Sequence, residues 1–160
     1  MSHPSPELVV RLLAERTEVG VTVGDEVLLS RTGPVGEAEL DDAITGYIQS
    51  DYGVMLGAQT AAELRLEIGS ATALGDELQA EVRGRELASG LPKAIVVTSE
   101  EIRMALEEPI QAVIGLVRDA LDDLPLVAVE PVRRQPPIVL TPAALRGLDR
   151  RLHEELTRDR

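Results

Sequence analysis

The stretch that decides the fold runs from Asp51 to Ala71 and reads DYGVMLGAQTAAELRLEIGSA. Gly53 predicts the end of one helix, because glycine is the residue most often found just past a helix C-terminus. Thr60 predicts the start of a second helix, which Gly69 ends. The stretch therefore joins two helices, and the segments before Gly53 and after Gly69 show what these helices pack with.

A hairpin and an amphipathic helix precede this stretch. In the segment TEVGVTVGDEVLLSR, from Thr17 to Arg31, apolar residues alternate on both sides of a Gly-Asp turn, which predicts a β-hairpin. They are Val19, Val21 and Val23 before the turn and Val27 and Leu29 after it. After Gly33-Pro34, one predicted helix carries acidic residues near its start, where they suit the helix dipole. Its apolar residues have helical spacing and are Leu40, Ala43, Ile44, Tyr47 and Ile48. PELVVRLLAE, ahead of the hairpin, is predicted as a strand in preference to a short membrane-surface helix.

Two short strands come after the stretch, LQAEVRGREL and KAIVVT, around a turn-rich SGLP. Residues 57–98 are therefore predicted to form a small inserted α+β subdomain. Residues 7–56 and 99–158 are predicted to form the α/β core, and residues 1–6 a disordered tail.

The last third of the chain carries the strongest helical pattern, TSEEIRMALEEPIQAVIGLVRDAL. Thr98 and Glu101 predict a capping box, and Pro109 predicts a kink or a division of the helix. Residues 125–137 contain four prolines and are predicted to be a connector. A strand at 138–140 and a final helix come next, with Thr141 as N-cap and Pro142 at the first helical position. The buried face of that helix is predicted to be Leu145, Leu148, Leu152 and Leu156.

Composition excludes several classes of function. The chain of 160 residues has the length of one domain, and 16 Lys+Arg against 28 Asp+Glu give a net charge of −12, which repels nucleic acid. The absence of cysteine excludes disulfides and thiol chemistry. No apolar run is long enough to insert directly into a membrane, so the sequence predicts a cytoplasmic protein.

The sequence patterns around the candidate catalytic residues indicate structural roles for all of them. Ser99 is predicted to be part of a helix cap and not a nucleophile, because no histidine accompanies it. His3 and His153 do not form a metal-binding pattern. The sequence therefore assigns no catalytic and no metal-binding residue. A set of carboxylates is predicted to lie on solvated helix surfaces and helix ends, namely Asp41, Asp42, Glu100, Glu101, Glu107, Glu108, Asp122 and Asp123.

Several stretches, in order from Val10 to Leu156, resemble the second lobe of MreB, a bacterial actin-like family that organises cell-wall synthesis. The resemblance is densest over DYGVMLGAQTAAELRLEIGSA, where the family has NYGLLIG…TAE.IK.EIGSA, and it continues through EVRGREL, GLPKAI and LTPAALRGLD. It implies an α/β fold of the actin-like ATPase (ribonuclease H-like) type, limited to the second lobe with its small subdomain. The family binds ATP and magnesium between two lobes.

The resemblance also implies that the phosphate-binding hairpin has changed. The family pattern resembles VDIGGGTTEV, whereas this chain reads VRLLAERTEV. Arg11 replaces the acidic residue on the magnesium side, and Leu13, Ala14 and Glu15 replace the glycines. Side chains with a Cβ resist the positive φ of such turns, and Glu15 repels phosphate. Thr17 and Glu18 are the vestiges of the motif.

The positions that contact the nucleoside in the family have also lost binding groups. Ala62 replaces a glutamate that contacts ribose and base in the family, and Arg65 stands at its lysine. LTPAALRGLD is two residues shorter than the family's LTGGGALLRGLD and places Pro142, which lacks an N–H, in the adenosine loop. Losing three or four such hydrogen bonds lowers nucleotide affinity by roughly 5–10 kcal/mol. We therefore expect no ATP, no magnesium and no ATPase activity.

The resemblance predicts a non-catalytic, cell-shape-associated interaction protein. Its expected partner is a full-length MreB-like protein or a second copy of itself. The expected partner surface lies in residues 57–98, with Arg83 and Arg85 at an exposed strand end. Two alternatives stay open at this point. One is a rod shape-determining ATPase completed by a separate first-lobe chain, and the other is a truncated remnant without function.

Overall fold

The computed structural model describes residues 4–140 and 145–158. Within them, seven strands and five helices form a mixed α/β fold. The strands are β1 Glu7–Leu12, β2 Thr17–Val23, β3 Glu26–Gly33, β4 Val54–Met55, β5 Gln79–Glu86, β6 Pro92–Thr98 and β7 Ile138–Leu140. The helices are α1 Glu37–Tyr52, α2 Ala58–Ile68, α3 Ser99–Asp122, α4 Leu126–Arg134 and α5 Leu148–Arg158.

The first sheet has the order β3-β2-β1-β7. Its first three strands are antiparallel, and β7 joins β1 in parallel, with Val9 opposite Ile138. Leu8, Val10 and Leu12 alternate into the core, as the period of a half-buried strand requires. The predicted strand at PELVVRLLAE and the predicted β2–β3 hairpin are both confirmed.

The stretch from Asp51 to Ala71 joins the two parts of the fold. Gly53 ends α1 in the left-handed conformation, with φ of 65°, and its N–H donates to the Gln49 carbonyl. Helix α2 begins at Ala58, two residues before the predicted Thr60, and ends before Gly69 as predicted. Leu64 and Ile68 on α2 are buried in the same apolar cluster as α1, so the two helices share one core.

The second sheet has the order β4-β5-β6 and is antiparallel throughout. Both predicted strands in residues 57–98 are present as β5 and β6. The sheet also includes Val54, which pairs with Glu86 and lies before the predicted boundary at residue 57. Val82, Ile95 and Val97 face the common core, and the proposed division into core and subdomain remains a prediction.

The sequence pattern predicts that Pro109 kinks or divides helix α3. The helix runs without interruption for 24 residues, so the predicted division is wrong, and the kink stays a prediction. Proline inside a helix costs about 3 kcal/mol, whereas burial of one large aliphatic side chain stabilises by about 1.5–3 kcal/mol. Leu106, Ile110 and Val113 are all buried around Pro109, and this burial offsets the loss. The predicted capping box of Thr98 and Glu101 is confirmed.

The prediction of a connector at residues 125–137 is also wrong for most of its length, because Leu126–Arg134 is helical. Pro125 precedes the first turn, where a missing N–H has no cost. Pro131 lies inside the helix and removes the hydrogen bond to the carbonyl of Val127. Ala128 and Val132 bury one face of α4, which contacts α5 and β1, and this packing supports the helix.

All four leucines predicted for the last buried face are buried, namely Leu145, Leu148, Leu152 and Leu156. Three of them lie in α5, and Leu145 precedes it. The predicted roles of Thr141 and Pro142 lie outside the described residues, as do the first three residues of the predicted tail. Pro4, Ser5 and Pro6 have no regular secondary structure.

Candidate functional site

The hairpin turn between β1 and β2 is bonded to the first turn of α1. The carbonyl of Leu13 accepts a hydrogen bond from the Glu37 N–H at 2.8 Å, and that of Ala14 accepts one from Ala38 at 2.9 Å. These N–H groups are among the four that a helix leaves free at its N-terminus, where anions usually bind. Carbonyl oxygens of the chain itself therefore take the place of an anion there.

Gly36 permits this close approach. A Cβ atom at residue 36 would lie 2.5 Å from the Leu13 carbonyl oxygen and 2.6 Å from the Arg16 nitrogen, so no larger residue fits. Among the described residues, only glycines have positive φ. The turn of Leu13, Ala14 and Glu15 consequently forms without the left-handed conformation that glycines supply.

Thr17 and Glu18, the two vestiges of the phosphate motif, have different environments. The Thr17 side chain is fully buried, and its hydroxyl donates to the Val35 carbonyl at 2.5 Å. Thr17 thus adds a third bond between the hairpin and the segment that leads into α1. Glu18 is partly exposed and lies 3.9 Å from Arg16, a weak surface pair.

Arg65 is buried and directed towards α1. Its Nε donates to Asp41 Oδ1 at 2.7 Å, and only 3% of the side chain is exposed. Nη1 is buried with no hydrogen-bond partner among the described residues. The prediction that Asp41 belongs to a solvated surface is wrong, because Asp41 is the counter-ion of Arg65. Ala62, on the same helix as Arg65, is half-buried.

The hairpin positions, from Leu13 to Glu18, and Arg65 do not contact one another directly. Both contact helix α1. The hairpin contacts the first turn of the helix at Glu37 and Ala38, and Arg65 contacts Asp41 about one turn further along. The contributions of Val35, Gly36 and Asp41 were not predicted from the sequence. A glycine directly before an acidic first turn was the one available signal for the close approach at Gly36.

Glu101 also departs from the predicted solvated surface. Its carboxylate accepts hydrogen bonds from the Tyr52 hydroxyl at 2.5 Å and the Tyr47 hydroxyl at 3.3 Å, besides the capping bonds from Thr98. Burial favours a higher pKa for Glu101, but bonds from Tyr52, Thr98 and Tyr47 outweigh it, so the pKa is lowered. Both tyrosines of the chain thereby join α1 to the start of α3.

Two further predictions about polar residues need correction. Glu107 is not simply solvated, because both its oxygens accept from Arg151, at 2.6 and 3.0 Å, and this bond lowers its pKa. Ser99 is the first helical residue and not the cap itself. Its hydroxyl donates to Glu77 and accepts from the Leu78 N–H, which joins the approach to β5 to α3. The contacts of Glu107 and Ser99 therefore stabilise the fold.

Arg83 and Arg85 lie on the outward face of the second sheet, exposed as predicted. Because paired residues on neighbouring strands point to the same face, Arg85 shares that face with Met55 on β4. On β6, Val96 lies opposite Glu81 and therefore also faces outward. Met55 and Val96 are 48% and 55% exposed, so the face combines apolar groups with Arg83, Arg85 and the acidic Glu81.

The described residues 4–140 and 145–158 contain no group of three or more His, Asp or Glu side chains arranged to hold a metal ion. Within the same part of the chain, no helix has the length and apolar character needed to cross a membrane.

Comparison with known proteins identifies the family. The model of the MreB/Mbl protein family matches residues 1–158. Cell shape-determining protein MreB of Escherichia coli (strain K12) is 37% identical over 158 residues, which are 97% of this chain and 45% of that protein. Mbl of Bacillus subtilis (strain 168) is 30% identical over 156 residues, 96% of this chain and 46% of that protein.

Solved structures agree in fold. MreB 5 of Spiroplasma citri bound to AMPPNP superposes with a TM-score of 0.90 at 27% identity, over 97% of this chain and 47% of that one. The MamK double helical filament gives a TM-score of 0.72 at 16% identity, over 95% of this chain and 46% of that one, a likeness of fold alone. The chain spans less than half the length of these proteins. The chain belongs to the MreB/Mbl family and has an actin-like mixed α/β fold.

Proposed function

We propose that this chain is a non-catalytic interaction protein of the bacterial cell-shape machinery, which acts in the cytoplasm by binding a full-length MreB-family protein or a second copy of itself. It binds neither ATP nor magnesium, and it does not hydrolyse ATP. Membership of the MreB/Mbl family supports the link to cell shape. The filament seen for the structural neighbour MamK supports association as the mode of action.

The observation that carries the loss of nucleotide is the pairing of the hairpin with α1. A phosphate group needs free N–H donors, and two donors at the N-terminus of α1 are already bonded to the Leu13 and Ala14 carbonyls. Glu15 adds a negative charge at the tip of the same turn, which is exposed. The hairpin therefore supplies repulsion where the family's motif supplies donors.

Arg65 supports the same conclusion from the nucleoside side. A cation that contacts a nucleotide has to present its charge to the cleft. Arg65 instead pairs with Asp41, and its side chain is almost fully buried. Moving it towards a ligand would leave Asp41 without its counter-ion, which is costly for a partly buried carboxylate.

The outward face of the second sheet supports the partner-binding half of the proposal. Arginine and methionine are enriched at protein interfaces, and Arg83, Arg85, Met55 and Val96 lie together on this face. In a chain of net charge −12, an exposed pair of arginines is a distinct local feature. It would steer the chain towards an acidic surface.

Co-sedimentation with filaments of the host's full-length MreB-family protein tests the proposal. We expect the wild-type chain to pellet with the filaments and the double variant Arg83→Glu/Arg85→Glu to stay in the supernatant. The double variant Arg134→Glu/Arg150→Glu makes the same change in net charge at exposed positions of α4 and α5, and it should pellet like wild type. Circular dichroism should be unchanged in both variants.

Two results would contradict the proposal. One is wild-type protein that never pellets with filaments of its host and stays monomeric at high concentration, because that outcome favours a remnant without function. The other is pelleting that both double variants lose equally, because the interaction would then depend on net charge and not on the sheet face.

A further inference from the structure

An open groove of about 700 Å³ lies between α1, α3 and the turn from Gly33 to Val35. Its volume falls within the roughly 300–1,000 Å³ range of ligand-binding clefts. It shares no residue with the outward face of the second sheet or with the turn between β1 and β2. Its lining is Gly33, Pro34, Val35, Glu39, Asp42, Ala43, Glu108, Pro109, Ala112, Gly115, Leu116 and Asp119.

Small residues keep the groove open. Ala43 on α1 faces Ala112 and Gly115 on α3 across it. A Cβ atom added at Gly115 would meet no other heavy atom within 4 Å, so the groove has room for a side chain from elsewhere. Val35, Pro109 and Leu116 supply apolar lining. The centre of the groove is therefore suited to apolar groups.

All charged residues that line the groove are acidic. Glu39 and Asp42 lie on α1, and Glu108 and Asp119 lie on α3. The Oε2 atom of Glu39 is buried without a hydrogen-bond partner among the described residues. A buried acceptor in that state gains a bond when a donor enters. The charge of the groove is thus complementary to lysine or arginine side chains.

The groove is elongated along α3. Glu108 and Asp119 are eleven residues apart on one helix face, which corresponds to roughly 16 Å along the axis. The acidic groups therefore lie at both ends of the α3 side, with Ala112 and Gly115 between them. An extended or helical segment fits this arrangement better than a compact molecule does.

We infer that the groove binds a peptide segment of another protein that carries apolar side chains in its middle and lysine or arginine at both ends. A second copy of the chain complements the groove poorly. Its most exposed apolar pair, Leu126 and Val127, comes shortly after Asp122 and Asp123, so acid would meet acid. The Arg83 and Arg85 face spreads its apolar groups over several strands and does not form a narrow ridge.

Selection from a phage library of random peptides of about 12 residues, long enough to span the groove, tests the inference. Enriched peptides would be synthesised with a fluorescent label and titrated by fluorescence polarisation. Gly115→Leu fills the groove and should weaken binding by about tenfold or more. Gly115→Ala is the matched control, since a single methyl group leaves most of the space, and it should stay within about twofold.

Charge provides an independent pair of variants. Asp119→Lys reverses a charge in the groove, and Asp122→Lys makes the same change three residues further along α3, outside it. We expect Asp119→Lys to weaken binding by about tenfold and Asp122→Lys to leave it nearly unchanged. This pair keeps the test decisive if Gly115→Leu disturbs the fold, which thermal denaturation would reveal.

Three outcomes would overturn the inference. One is a selection that enriches no peptide, or only peptides whose binding is the same in wild type, Gly115→Leu and Asp119→Lys. Another is enrichment of acidic peptides. The third is a self-associating wild-type chain that becomes monomeric in analytical ultracentrifugation on Gly115→Leu substitution, because the occupant would then be a second copy.

Discussion

Asp41 on α1 and Arg65 on α2 form an ion pair with 2.7 Å between Oδ1 and Nε, in which the arginine is only 3% exposed. The pair joins the helix after the hairpin to the helix at the centre of the family resemblance. Because the arginine side chain is away from water, its charge depends on Asp41 for compensation. Arg65 therefore functions as a structural residue in this chain.

Removal of one member of this pair should destabilise the protein more than removal of both. Asp41→Ala leaves the buried guanidinium without a counter-ion, and we expect it to lower the free energy of unfolding by about 3 kcal/mol. The double variant Asp41→Leu/Arg65→Met removes both charges and should be within about 1 kcal/mol of wild type. Urea denaturation of the single and double variants measures the coupling. Strictly additive effects would contradict it.

The Glu101 carboxylate should control stability at acidic pH. Its pKa is lowered in the folded chain, so its contribution is present above the ordinary value of 4.5 and is lost as pH falls through the lower folded value. Glu101→Gln retains a capping side chain without the charge and should flatten this acid dependence. Glu101→Ala should cost about 2 kcal/mol at neutral pH.

Denaturation midpoints measured from neutral to acidic pH test this, with Glu100→Gln as the control. Glu100 is exposed on the same helix turn, and the hydroxyls of Tyr47 and Tyr52 bond to Glu101 instead. An unchanged acid slope in Glu101→Gln would refute the assignment.

The two tyrosines should resist ionisation in the folded protein. A hydrogen bond to Glu101, together with burial, raises the pKa of Tyr52 to about 12. Burial, with Asp51 and Glu101, raises that of Tyr47 well above its ordinary value of 10.0. Raised pKa values stabilise the folded state below pH 10.0, and this contribution is lost as pH rises through the folded values.

Absorbance at the tyrosinate band during an alkaline titration measures this, and Tyr47 and Tyr52 are the only aromatic residues that contribute. The native protein should show little ionisation up to about pH 11, and protein in urea should titrate near 10. Native tyrosines that titrate like the unfolded chain would show that the hydroxyls are not bonded to Glu101.

Local patterns made most of the fold predictable. The spacing of Leu40, Ile44 and Ile48 predicted the buried face of α1, and Thr98 with Glu101 predicted the capping box. The error at α4 arose because proline content was weighed alone, whereas burial of Ala128 and Val132 against other elements supports that helix. Tertiary packing of this kind is not visible in a local pattern.

The candidate site was less predictable because its contacts join distant parts of the chain. Resemblance located the hairpin substitutions, but nothing in the sequence indicated that the Leu13 and Ala14 carbonyls would bond to α1. The pairing of Asp41 with Arg65 spans 24 positions, and that of Tyr52 with Glu101 spans 49. The groove depends on two helices and a turn, so only the folded chain reveals it.

Calorimetric titration of magnesium and ATP into the chain, alone and with its full-length MreB-family partner, tests the central claim most directly. We predict no saturable binding heat from the chain alone at millimolar nucleotide, and no increase in phosphate release over that of the partner alone. The bonded hairpin, Glu15 and the inward-facing Arg65 are the reasons. A saturable isotherm for the chain, or phosphate release above that of the partner alone, would contradict the account and restore an ATPase completed by a second chain.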